Sequence, residues 1–233
     1  MSLFDTFFYQ PLLNILIIFY QYFPGHDFGI AIILLTIMIR FLLYPLGATA
    51  IKSQKAFQDI QPKIKEIQKK YKDDKEKQIQ LTLSLYKEAR INPFSSFFPL
   101  LVQLPILFAL YKVFWKGLST QELTNLYSFI KKPESISPIF LGLVRLDKPF
   151  LAIAIIAGIL QFFQIRMMTP EIKKGEEGLD KFSAALQKQT LYFFPILIVF
   201  MLLKTPSAIG LYWITTTVFS IIQQRIILKS YAK

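Results

Sequence analysis

The chain has 233 residues, 53% of them hydrophobic, with a mean hydropathy of +0.42 and a formal net charge of +12. It contains no cysteine, which excludes disulfides, thiolate metal sites and a lipid-modified cysteine. Several separate apolar runs approach the roughly 20 residues that cross a bilayer, without the period-2 alternation of a barrel strand, so the class expected is an all-α polytopic membrane protein.

Within the first segment, 1–25, residues 2–23 are apolar but interrupted by Asp5, Gln10, Pro11, Asn14 and Gln21, and Pro24 and Gly25 follow them. This predicts a helix rich in Phe and Tyr lying in the outer interface, with a full extra span as the alternative. The apolar runs 28–46, 94–115, 150–168, 191–203 and 207–224 centre five predicted spans, at 26–47, 93–115, 150–168, 190–204 and 207–224. The fourth is the shortest.

Between the first two spans, 48–92 is the one long polar stretch, with eleven basic and six acidic residues. Phe57, Ile60, Ile64, Ile67 and Tyr71 repeat at spacings of 3 and 4, a narrow helical seam. Asp73 and Asp74 interrupt it, Ile79, Leu83 and Tyr86 resume an apolar stripe, and Asn92 and Pro93 end it. A basic helical hairpin is predicted, with Pro62 kinking or restarting its first helix. Lys63, Lys65, Lys69, Lys70 and Lys72 make its candidate docking face.

Residues 116–149 form a connection whose three prolines discourage long helices, 169–189 a polar loop with two glycines, and 204–206 a tight turn. A short basic tail, 225–233, closes the chain. No Lys or Arg occurs in the first 28 residues, so charge bias near the span ends puts the N-terminus outside, the hairpin in the cytoplasm and the C-terminus inside. The five basic residues of 116–149 run against this, but they are fewer than the eleven of the hairpin. No internal repeat supports an inverted-repeat transporter.

Arg40 stands out. It lies twelve residues after Phe28, about 18 Å along a helix, where an arginine costs about 2.5 kcal/mol or more and normally faces protein or water. Thr36 and Tyr44, four residues either side, put a polar stripe on one helical face. One reading is snorkelling to the nearby headgroups. The other starts from the five apolar runs, which hold no Asp or Glu. A charge without a counter-ion must keep water beside it, which implies a hydrated cavity open to the cytoplasm. Gln103, Gln161, Gln164 and the threonines from 215 to 217 are candidates to line it, although lone amides in membranes commonly make ordinary interhelical hydrogen bonds. Trp213 and Tyr212 also suit an interfacial anchor.

Catalytic machinery is not expected. The single histidine, His26, lies near the outer surface, and HExxH, GxSxG, Walker A and intramembrane acid pairs do not occur. No enzyme, cofactor or metal follows from these residues.

The order of these features resembles the YidC/Oxa/Alb insertases, over about residues 10–228. The strings carrying the likeness are TIMIRFLLYP at 36–45, QPKIKEIQKKYKDD at 61–74, FFPLLVQLPILFALY after Asn92 and Pro93, and GLYWITTTVFSIIQQ near the end. The resemblance implies a five-helix core with Arg40 as the positive charge of a hydrophilic groove, closed to the outside and open to the cytoplasm and lipid. Thr36, Gln103, Gln164 and Trp213 would line or border that groove, with Tyr212 less clearly placed. It implies a membrane protein insertase and chaperone in the bacterial cytoplasmic membrane. Its partners would be nascent membrane proteins, lipids, and the ribosome and translocon, with no sequence-specific nucleic acid. The large outer domain, lipid-modified cysteine and long basic tail of some relatives are absent from this sequence, which favours the hairpin as the docking surface. The alternatives from the residues alone are a small-anion transporter or channel using Arg40, and a scaffold acting through the hairpin.

Overall fold

The computed structural model describes residues 2–23, 25–89, 98–116, 122–169 and 179–231. Helices dominate them: α1 (Gln10–Tyr22), α2 (Phe28–Leu42), α3 (Tyr44–Lys70), α4 (Lys75–Glu88), α5 (Phe98–Lys116), α6 (Leu151–Met168), α7 (Leu179–Leu202) and α8 (Ser207–Tyr231). One element departs from an all-α chain, a ladder of two two-residue antiparallel strands, β1 (Ile139–Phe140) and β2 (Val144–Arg145). On length and apolarity alone α6 can cross a membrane; α2 and α3 meet the test jointly, and 101–115 and 188–202 are shorter apolar stretches. The described residues form two compact units, Met1–Leu42 with Gln103–Ile222, and Leu43–Val102 with Gln223–Lys233.

In the first unit, α1 is preceded without a break by a π-helical turn, Asp5–Tyr9, so helix runs on through Pro11, whose missing N–H falls at the change from π to α geometry. Tyr9, Leu13, Leu16 and Ile17 are buried, as are Phe28, Ile32 and Leu35 of α2 and Leu110, Val113 and Phe114 of α5. Phe28 meets the ring of Phe114 edge-on. Asn14, whose amide looked like an interruption in the sequence, is 1% exposed and fully used. It donates to the carbonyls of Gln10 (2.7 Å) and Asn125 (3.3 Å) and accepts from the backbone N–H of Tyr127 (2.7 Å).

That clasp ties the 122–149 connection down. Tyr20 accepts from Ser137 N–H, Asp27 from Leu141 N–H, and the carbonyl of Lys148 accepts both the N–H and the hydroxyl of Ser207 at the start of α8. Leu146 beneath it is fully buried. Long helices are indeed absent from this stretch, as its prolines predict, yet it is a structured cap.

α6 and α7 approach closely at Gly158. A Cβ there would lie 2.5 Å from the Val199 side chain and 3.2 Å from the Pro195 carbonyl, so only glycine permits this spacing. Away from that contact, Ile155, Ile159 and Phe163 of α6 and Tyr192, Ile196 and Phe200 of α7 are exposed. Large apolar side chains on that scale suit a lipid environment, not water. Helix reaches into the polar loop predicted at 169–189: α7 begins at Leu179, and residues 179–194 contain no Gly or Pro. The 204–206 turn is present, with Lys204 and Thr205 donating back to Met201 and Leu202.

In the second unit α3 and α4 lie antiparallel. Phe57 stacks on Tyr86, Gln78 donates to the Gln68 and Tyr71 carbonyls at the turn, and Ile60 and Ile64 are buried against Phe57, Leu85 and Tyr86. This burial raises the Tyr86 hydroxyl above the ordinary tyrosine range. Asp74 caps α4 by accepting from Lys77 N–H (2.9 Å). Pro62 does not restart the helix: α3 runs on through it, with the ring exposed. Predicted span one, expected to run as a single helix to residue 47, breaks instead at Leu43, where Pro45 in the first turn of α3 starts a new helix. The Gln223 amide closes this unit, packed on Gly47 and donating to the Tyr44 carbonyl (2.8 Å). The expected break at Asn92 and Pro93 lies outside the described residues.

Replacing Asn14 by Leu strands the Tyr127 N–H. We expect a loss of about 1–3 kcal/mol in thermal unfolding, together with new protease cleavage within 123–149; an unchanged digestion pattern would show that the clasp does not hold the cap.

Candidate functional site

The break at Leu43 fixes where Arg40 sits. It lies in the last turn of α2 instead of mid-helix, where the unpaired carbonyl end of the helix favours a cation. The sequence also places it between strongly apolar residues, so its side chain must find partners on other helices. It finds two, both neutral. Arg40 Nη2 donates to Gln103 Oε1 of α5 (3.1 Å), and Nε donates to Thr216 Oγ1 of α8 (3.4 Å). Gln103 in turn donates through Nε2 to the hydroxyl of Tyr212, one turn before Thr216. Three helices thus converge on one guanidinium.

A guanidinium carries five N–H donors. Two are engaged, and among the described residues the other three have no protein acceptor and Arg40 has no carboxylate partner. The side chain is half-buried, turned toward α5 and α8. Charge without neutralisation and donors without acceptors together call for water or an anion at this place.

The predicted site residues divide into groups. Arg40 and Gln103 are joined directly. Gln164 and Trp213 belong to a second chain of hydrogen bonds: Trp213 Nε1 donates to Gln161 Oε1 (3.0 Å), and Gln161 Nε2 to Gln164 Oε1 (3.1 Å). This links α8 to α6. Both chains spring from α8, at Tyr212 and Trp213. Thr36 is 1% exposed and donates to the Ile32 carbonyl of its own helix (2.6 Å), so its hydroxyl is already satisfied. Tyr44 falls beyond the helix break, in α3. Of the threonines, Thr215 and Thr217 bond back to Leu211 and Trp213, and Thr216 alone reaches Arg40. Tyr212, held in doubt from sequence, is a central member of the cluster. Its spacing from Thr216, one helical turn, was the available signal. On the hairpin, Lys63, Lys69, Lys70 and Lys72 are exposed and Lys65 half-buried, with Lys70 and Lys77 over the Tyr71 ring at 5.7 and 5.0 Å.

With this geometry in place, the comparisons are decisive at the level of family. The family model of the 60Kd inner membrane protein matches residues 18–233. The chain belongs to this family. Three relatives, each named membrane protein insertase YidC, bear it out. The protein of Geobacter metallireducens is 33% identical over 225 residues, 96% of this chain and 37% of the relative. That of Brucella melitensis is 37% identical over 213 residues, 87% of this chain and 33% of the relative. That of Fusobacterium nucleatum is 32% identical over 206 residues, 88% of either chain. The chain therefore spans a little over a third of the Geobacter relative and most of the Fusobacterium one. The YidC/Oxa/Alb resemblance read from the sequence holds.

Arg40 and Gln103 should be energetically coupled. In a double-mutant cycle with Arg40→Met and Gln103→Leu, we expect a coupling of about 1 kcal/mol or more in unfolding experiments on reconstituted protein. Additive effects would dissolve the cluster as a unit.

Proposed function

We propose that this chain is a membrane protein insertase of the bacterial cytoplasmic membrane. Hydrophobic segments of nascent proteins enter a hydrophilic, positively charged groove at Arg40 and leave sideways into lipid. The observation that carries this reading is the charge of Arg40, held by Gln103 and Thr216 but balanced by no carboxylate among the described residues. Membership of a family whose named relatives are insertases supports it.

The chemistry runs as follows. A short, acidic outer segment of the substrate enters the wet groove and meets the guanidinium donors that the described residues leave unpaired. Two unit charges 4 Å apart attract by about 1 kcal/mol in water and about 4 kcal/mol at the effective dielectric of a protein site, so partial desolvation makes Arg40 a better anchor than a lysine reaching into bulk water. The adjoining apolar segment slides past the exposed side chains of α6 and α7 into lipid. Its burial, at about 0.8 kcal/mol per CH₂, drives insertion without ATP and without a covalent step. Five spans with the N-terminus outside and the C-terminus inside give the groove its cytoplasmic opening, while the 122–149 cap covers the outer side. The hairpin lysines, Lys63, Lys65, Lys69, Lys70 and Lys72, offer a docking face to the ribosome, and a translocon is a further partner.

Arg40→Ala in reconstituted vesicles should lower insertion of a small, single-span, acidic-tailed substrate about tenfold or more, with Arg40→Lys retaining an intermediate activity. Full activity of Arg40→Ala removes the role given to that residue, and flux of a small anion through the substrate-free protein would favour the transporter reading. Replacing the five hairpin lysines by Gln should weaken ribosome binding and its salt dependence while leaving insertion of a preformed small substrate largely intact.

A further inference from the structure

A second site lies on the opposite side of α6 from that chemistry's polar partners, where α6 and α7 bound an exposed apolar depression of about 390 Å³. Ile155, Ile159, Phe162, Pro195, Ile196 and Val199 line it. Its volume is that of a ligand pocket. The register of the two helices is fixed at two points: Gly158 faces Pro195 and Val199, and Phe162 faces Tyr192, their rings 5.8 Å apart. Continuing this antiparallel register by one more turn brings Arg166 opposite Lys188. Both are exposed. Each also continues the stripe that lines the depression, through 155, 159, 162 and 166 on α6 and 199, 196, 192 and 188 on α7, at helical spacings of three and four. Among the described residues neither has an acidic partner, and α6 contains no Asp or Glu. Like charges set across from one another repel unless an anion lies between them.

We propose that this groove binds an anionic phospholipid, with an acyl chain in the depression and the phosphate between Arg166 and Lys188. A greasy slot ending in two cations is complementary to a molecule with one negative head and a long apolar tail, and basic pockets between spans at the cytoplasmic face hold such headgroups. In the orientation proposed above, the ends of α6 and α7 that carry the two cations face the cytoplasm, so the bound lipid belongs to the inner leaflet. The proposal rests on the membrane location and not on the insertion activity.

The test uses the full chain in mild detergent with equal amounts of phosphatidylglycerol and phosphatidylcholine, and native mass spectrometry to count retained lipid. The wild type should retain phosphatidylglycerol in preference by about 30-fold, the effect of two near-surface cations. The Arg166→Gln, Lys188→Gln double variant should lose that preference, and Ile159→Trp, which fills the slot, should lose both lipids while keeping wild-type helicity by circular dichroism. An unchanged preference in the double variant overturns the site. So does thermal stabilisation by inorganic phosphate equal to that by the lipid, which would leave the slot no part in binding, or a dimer of this chain that the double variant dissociates. Insertion assays on the same double variant separate this site from Arg40: loss of lipid preference with insertion retained leaves both readings standing on their own evidence.

Discussion

The site is organised around one guanidinium that no carboxylate neutralises among the described residues. In a bundle whose apolar runs hold no acid, Arg40 can be kept charged only by dipoles and solvent. Gln103 and Thr216 supply two dipoles, and Tyr212 fixes the Gln103 amide in turn. A carboxylate in place of Gln103 would satisfy the charge and leave little attraction for any other anion. A neutral amide orients the arginine and leaves its field largely intact. The site is thus polar enough to hold a cation in position and unbalanced enough to attract an anion.

The fold serves that arrangement at both ends. Ending α2 at Leu42 puts Arg40 in a final turn, where the carbonyl end of the helix favours its charge, and α3 starts anew with Pro45 in its first turn. The 122–149 connection is pinned by Asn14, Tyr20, Asp27 and Ser207. Polar residues that look out of place in apolar helices are the anchors of this cap, and their burial is possible because each polar atom meets a backbone partner.

Much of this was legible from residues. Arg40, Gln103 and the acid-free runs follow from type and position alone, and the helical seam from Phe57 to Tyr71 follows from its 3-4 spacing. Tertiary pairing was not legible. Nothing local distinguishes Thr216, which reaches Arg40, from Thr215 and Thr217, which bond to their own helix. Thr36 has the right spacing to join Arg40, yet it spends its hydroxyl on Ile32. Prolines misled in both directions. Pro62 does not restart α3, whereas Pro45, at a helix start, coincides with a break that hydropathy ran straight through. Asn14 read as an interruption because two of its three partners, Asn125 and Tyr127, lie more than a hundred residues away.

The central claim is that water stands beside Arg40 from the cytoplasmic side. Because the chain has no cysteine, a single one can report on this directly. Ser220 lies one turn along α8 from Thr216, and Ile159 lies on the exposed apolar face of α6. In sealed vesicles, Ser220→Cys should react with a membrane-impermeant maleimide added to the cytoplasmic face and not to the outer face, while Ile159→Cys stays unreactive from either. If Ser220→Cys is as inert as Ile159→Cys, the helices around Arg40 are dry and the account fails.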